Sequence, residues 1–113
     1  MRTTEQPTAL ALVMSILPKV RHVNDAIRAH DRNLSDQIKR AITSVALNLG
    51  EADGSDPGNR RARLHTALGS LKETRQGLQI ATAWDYVATS DIASVERVLD
   101  SATAMTWRRL HPR

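Results

Sequence analysis

Apolar residues recur at helical spacing in four blocks, and polar, turn-forming stretches separate the blocks. Between Thr8 and His30, Leu12, Ile16, Val20, Val23 and Ile27 follow one another at steps of four and three, and Leu10, Val13 and Leu17 widen the stripe. That is an amphipathic helix. Pro18 falls inside it, where the ring removes a hydrogen-bond donor and crowds the preceding turn, so the pattern predicts a kink or break near Met14 to Pro18. A short polar connection, Asp31 to Asn33, follows. Asn33 with Asp36 three places on reads as a capping-box-like start, with Ser35 as a competing cap.

The second block, Leu34 to Ala52, places Leu34, Ile38, Ala41, Ile42, Val45, Leu49 and Ala52 within an arc of about 100°. Beside this core arc, Gln37, Arg40, Ser44, Asn48 and Glu51 fill a polar arc of about 80°. Asp53-Gly54-Ser55-Asp56-Pro57-Gly58 then concentrates turn formers and ends the helix. The third block, Asn59 to Trp84, offers Leu64, Ala67, Leu68, Leu71, Leu78 and Ala81 to a core, while Ala62, Gly69, Ser70, Glu73, Gly77, Ile80 and Trp84 form another side. Two interior glycines, each costing about 1 kcal/mol relative to Ala, call for the close approach of another backbone. After Asp85 to Ser90, the fourth helix runs from Asp91 to about Arg109, with Thr89 or Ser90 as its cap and Ile92, Val95, Val98, Leu99, Ala102 and Met105 facing inward.

Short connections force consecutive helices to lie side by side. The expectation is therefore an all-α, antiparallel up-and-down four-helix bundle over residues 8–109, with tails at 1–7 and 110–113. Cores of Leu, Ile, Val and Ala with almost no aromatic bulk bring helices close but make a thin core, which association would help.

Composition narrows the chemistry. The chain has 113 residues and no cysteine, which removes disulfides and thiolate chemistry and suits a reducing compartment, the cytoplasm. No apolar run approaches the ~18 residues that span a bilayer, and residues 1–7 lack the build of a signal peptide, so no membrane role is expected. Sixteen Lys and Arg against twelve Asp and Glu give a formal charge of +4 and, with thirteen of the cations being Arg, make a polyanionic partner one reading; simple solubility is the other. Aromatics are few, Trp84, Tyr86 and Trp107, which argues against modules that stack bases on aromatic platforms.

The residues Leu34, Gln37, Lys39-Arg40-Ala41, Ser44-Val45, Asn48-Leu49-Gly50-Glu51 and Gly54, followed by Ala67-Leu68-Gly69-Ser70-Leu71, Glu73, Leu78, Ala81 and Trp84-Asp85-Tyr86-Val87, resemble the signature of the bacterial four-helix-bundle family of 23S rRNA-intervening-sequence proteins. The resemblance implies an up-and-down bundle assembled as a ring-shaped homopentamer. It also implies kinship with the accessory variability determinant of diversity-generating retroelements, a basic barrel that works with a reverse transcriptase and nucleic acid. This chain departs from the family pattern at Glu51-Ala52-Asp53-Gly54, where a Glu-Gly pair is common, and at Arg75.

Three sets of residues are candidates for function. Arg60, Arg61 and Arg63 open the third helix beside a glycine loop, with Lys39 and Arg40 on the preceding helix; guanidinium groups and a helix start can hold phosphate, and the alternative is a solvated charge cluster. Gln37, Arg40, Ser44, Asn48, Glu51 and Glu73 could form a catalytic group or, as expected here, an interhelical polar seam in which Arg40 pairs with Glu73 or Glu51. Leu47, Gly69, Gly77, Ile80 and Trp84 would serve subunit or helix packing. His22, His30, His65 and His111 are dispersed, there is no Glu-x-x-His, and phosphate-loop and nucleophile-elbow motifs are missing. No metal, no cofactor and no enzymatic activity are expected. The competing functions are a homo-oligomeric accessory or scaffold that presents basic surface to RNA, DNA or a nucleic-acid enzyme, and a structural or protein-binding oligomer.

Overall fold

A computed structural model, which describes residues 7–112, consists of α1 (Ala9–Arg28), α2 (Arg32–Asp53), α3 (Pro57–Ala83) and α4 (Thr89–Leu110). Each helix packs on its neighbours in sequence, and α4 closes the bundle against α1. The result is the up-and-down four-helix bundle, with α2 and α3 sharing the most extensive contact. No strand occurs among the described residues. Of the expected tails, residues 1–6 and 113 lie outside the described residues, and α4 runs to Leu110, one residue past the expected end of the bundle.

The core follows the periodicity. Ile27, Ile38, Leu49, Leu71, Leu78, Leu99, Val13, Val45 and Val95 are fully buried, as are Thr74 and Thr106. Each of these threonines donates its hydroxyl to a carbonyl four residues back, Ser70 and Ala102, at 2.8 Å. The hydroxyls are satisfied inside their own helix, so both can sit in an apolar layer. Between α1 and α2, buried Asn24 donates Nδ2–H to the Ser35 carbonyl at 3.0 Å.

Several local expectations are corrected. α1 is one helix through Pro18, without the break that the ring suggested. Pro18 and Met14 both face solvent, so water can take the Met14 carbonyl that lacks its N–H partner. α2 is capped by Asp31, not Asn33 or Ser35: its Oδ1 accepts the Leu34 N–H at 2.9 Å. Asp36 pairs instead with Arg28 at 2.9 Å, and Ser35 is buried against Asn24. α3 begins at Pro57, two residues earlier than the periodicity, because Asp56 caps it through the Asn59 N–H at 3.0 Å and proline suits the first helical position. Ala88, rather than Thr89 or Ser90, stands at the cap of α4, and the Asp91 carboxylate accepts the Ala88 N–H at 2.8 Å.

The end of α3 has a special backbone. Asp85 adopts φ 63°, its N–H bonds to the Thr82 carbonyl at 3.0 Å, and the Tyr86 N–H reaches back to Ala81 at 2.9 Å. This is a Schellman closure with aspartate where glycine is usual.

Candidate nucleic-acid interface

Helix parity brings the end of α2, the start of α3 and the end of α4 to one end of the bundle. The three arginines of α3 fan out there. Arg60 donates to the Ser55 carbonyl at 3.1 Å, Arg61 to the Leu110 carbonyl at 3.1 Å, and Arg63 pairs with Glu51 at 3.2 Å while reaching Asn48 Oδ1 at 3.5 Å. Arg61 thus sits on the negative end of α4.

Two further cations, missed by sequence reasoning, join this end: Arg109, paired with Asp53 at 3.1 Å, and exposed Arg108, which makes no ion pair among the described residues. The signal was present as basic residues in the last turn of α4, but only the packing shows that they meet the α3 arginines. Asp56 lies at the same end, and the Asn59 backbone N–H, helped by the Asn59 side chain, holds its carboxyl below the ordinary 3.8.

Lys39 and Arg40 are elsewhere. With Arg63 they border an open groove of about 650 Å³ along α2, also lined by Thr43, Leu47 and Glu51. The five basic residues therefore divide: Lys39, Arg40 and Arg63 flank the groove, while Arg60 and Arg61 lie with Arg108 and Arg109 around the bundle end.

The polar arc of α2 is a seam over half its length. Ser44 and buried Ser70 share a hydrogen bond of 2.8 Å, and Asn48 Nδ2 donates to the Ser44 carbonyl at 2.9 Å and hydroxyl at 3.1 Å. Arg40 is corrected: it pairs with neither Glu73 nor Glu51, because Arg63 takes Glu51 and no carboxylate lies within 4 Å of Arg40 among the described residues. Gln37 bonds to Asn33 at 3.4 Å, and Gln37, Arg40 and Glu73 line a shallow depression of about 360 Å³. Arg75, the departure from the family pattern, joins α3 to α4 through Glu96 at 3.8 Å and Asp100 at 3.3 Å.

The packing candidates separate as well. Gly77 is buried against Ile38 of α2, so it serves contact within the chain, whereas Gly69 is exposed with open space above its Cα. Leu47, Ile80 and Trp84 are 62%, 45% and 67% exposed, so none of the three is used in packing the bundle interior.

The aromatic rings stand at the two ends. Trp84 stacks on Tyr86 and Tyr86 on His30, with centroids 6.4 Å and 5.1 Å apart. Partial burial, followed by the facing Asp31 carboxylate, raises the Tyr86 phenol above 10.0. At the arginine-rich end Trp107 stacks on His111 with centroids 4.0 Å apart. Among the described residues no three His, Asp or Glu side chains are placed to hold a metal, and no helix is long and apolar enough to cross a membrane.

The sequence model of the 23S rRNA-intervening sequence protein family matches residues 8–108, all of the bundle but the last two residues of α4. The chain belongs to that family. No curated protein matches it. Among solved structures, a protein of unknown function from the S23 ribosomal protein family of Bacteroides thetaiotaomicron superposes with a TM-score of 0.84 at 16% identity, covering 92% of this chain and 99% of that one. At that identity the likeness shows the bundle fold alone. As a 23S rRNA-intervening sequence protein, this chain has the family's helical bundle with an arginine-rich end.

Proposed function

We propose that the chain is a non-enzymatic, homo-oligomeric accessory or scaffold protein that binds RNA or DNA through its basic surface. The observation that carries this is the gathering of Arg60, Arg61, Arg108 and Arg109 at one end, where among the described residues only Arg109 is in an ion pair, with Asp53. The guanidinium groups of Arg60 and Arg61 bond to carbonyl oxygens, which orients them; the Asp56 carboxylate offsets part of the Arg60 charge, while Arg61 has no carboxylate partner among the described residues. Oriented guanidinium groups suit phosphate oxygens, and nothing in the arrangement forms a base-reading code, so binding is led by phosphate and independent of sequence. Self-association is supported by exposed Leu47, Ile80 and Trp84. The subunit number of five, the cytoplasmic location and a reverse transcriptase as the partner enzyme rest on the family resemblance and the absence of cysteine.

Mobility shift against RNA and DNA over a salt series tests the reading. Affinity falls as salt rises, and replacing Arg60, Arg61 and Arg108 by Ala reduces both the affinity and the steepness of its salt dependence, by about 0.9 in log–log slope for each duplex-DNA phosphate that the variant no longer neutralises. Unchanged affinity in the triple variant would remove this end of the bundle from the proposal. The second reading, a protein-binding oligomer without a nucleic-acid role, is favoured by the same exposed Ile80 and Trp84. It requires light scattering to show an assembly that I80E and W84E dissociate, together with no salt-sensitive affinity for either polymer.

A further inference from the structure

We propose that Trp107 is a stacking site for an unpaired nucleobase, so that the polyanion taken at the arginine-rich end is single-stranded. This rests on the nucleic-acid reading above and adds the strand state to it. Trp107 occupies the last turn of α4 and is half exposed. Its indole is stacked on His111 with the planes 22° apart. The His111 backbone N–H donates to the Trp107 carbonyl at 3.0 Å, and ring Nδ1 lies 2.9 Å from the same oxygen. The imidazole is therefore tied down, and it supports the indole in one orientation while leaving aromatic surface open to solvent.

Two cations without ion pairs among the described residues share this end of the bundle with the ring. Arg108 follows it directly and is exposed, and Arg61 reaches the Leu110 carbonyl within the same turn. A supported aromatic face at the end of the bundle that also carries Arg61 and Arg108 provides both requirements of single-strand binding: charge that tracks the backbone, and a flat π surface on which any base can lie. In a duplex the base faces are covered by their neighbours, so the indole adds nothing there except at the ends.

The opposite end of the bundle shows why the site is Trp107. Trp84 is the more exposed indole, but Asp85 follows it and the stacked Tyr86 donates its hydroxyl to the Asp31 carboxylate at 3.4 Å. Aromatic surface beside carboxylates repels phosphate. Scarcity of aromatics, which counted against stacking in the sequence, is offset because one of the few rings stands among the arginines.

The test uses the full chain carrying W84F, which leaves Trp107 as its one tryptophan. It is titrated at low salt with oligothymidylate and, separately, with a mixed-sequence duplex of equal length. Oligothymidylate is expected to quench the indole emission, and W107A, followed by mobility shift because it has no tryptophan left, to weaken single-strand affinity about tenfold while leaving duplex affinity unchanged. W107F, which keeps a ring, holds single-strand affinity within about threefold of the parent. Circular dichroism confirms that the variants retain the bundle. Oligothymidylate bound equally well with and without Trp107 would overturn the stacking site while leaving the nucleic-acid reading in place. Failure of both polymers to bind would overturn both. Loss of self-association in W107A, with no change in single-strand affinity, would assign the ring to a protein contact and overturn the proposal.

Discussion

Ile38 of α2 occupies the space that a side chain at Gly77 of α3 would need: a Cβ there would lie 2.6 Å from Ile38 Cγ1. The contact joins the most extensive helix pair of the bundle at a fully buried branched residue. The glycine is a socket, and its cost in helix propensity is offset by the approach that it permits.

Gly77→Ala is therefore expected to destabilise the protein by about 1–3 kcal/mol, the usual penalty of overpacking. Gly69→Ala, with nothing within 4 Å of its added methyl, gains up to about 1 kcal/mol from improved helix propensity. Thermal melts of the pair check both signs. Combining Ile38→Ala with Gly77→Ala should cost less than the two single losses added together, because Ile38→Ala removes Cγ1 and Cδ1, the atoms that the new methyl group would meet.

The polar seam makes a second prediction. Ser70→Ala removes a buried hydroxyl from its 2.8 Å bond with Ser44 and costs about 1 kcal/mol. Arg40→Glu leaves the melting temperature near the wild-type value, since Arg40 is exposed and has no ion pair to lose among the described residues. A large destabilisation by Arg40→Glu would show that this side chain has a partner in solution and would return it to the seam.

Asp85 yields a third. An L-residue at φ 63° carries a steric cost that glycine avoids, while the Asp side chain softens that cost. Asp85→Gly should stabilise the protein by about 0.5–1 kcal/mol, a rise of a few degrees in Tm. Asp85→Val should lower Tm, because β-branching makes the left-handed conformation worse.

Acid makes a fourth. The folded Asp56 carboxyl titrates below its ordinary 3.8, so its contribution is fully present above that pH and is lost as pH falls through the folded value. Asn is also a good cap and does not titrate. The stability difference between wild type and Asp56→Asn, followed by thermal melts on the acid side of pH 5, should shift against the wild type as pH falls below about 3.8 and level off further down.

The helices were legible in the sequence wherever a stripe was long: Leu34 to Ala52 and Leu64 to Ala81 fell on the core as their spacing required. Caps were less legible. Asp31 and Asn33 are equally able acceptors two residues apart, and the choice is made by the turn in which the His30 and Asp31 N–H groups both bond to the Ile27 carbonyl. At the candidate interface, spacing placed Arg40 on the right face of α2 but not on a partner, because an angular arc does not say which residue of α3 lies opposite. Arg63 won Glu51 through that register. Arg108 and Arg109 lie far along the chain from Arg60, and only the helix parity makes them neighbours.

Asp31 accepts two bonds at once, from the Leu34 amide and from the Tyr86 hydroxyl, and so links the α1–α2 turn to the α3–α4 turn. The two turns should consequently breathe as one unit, with amides around Leu34 and Tyr86 exchanging hydrogen for deuterium in concert. At the far end the ties are made by long arginine side chains instead, Arg61 to the Leu110 carbonyl and Arg109 to Asp53, which can let go and re-form without moving a turn.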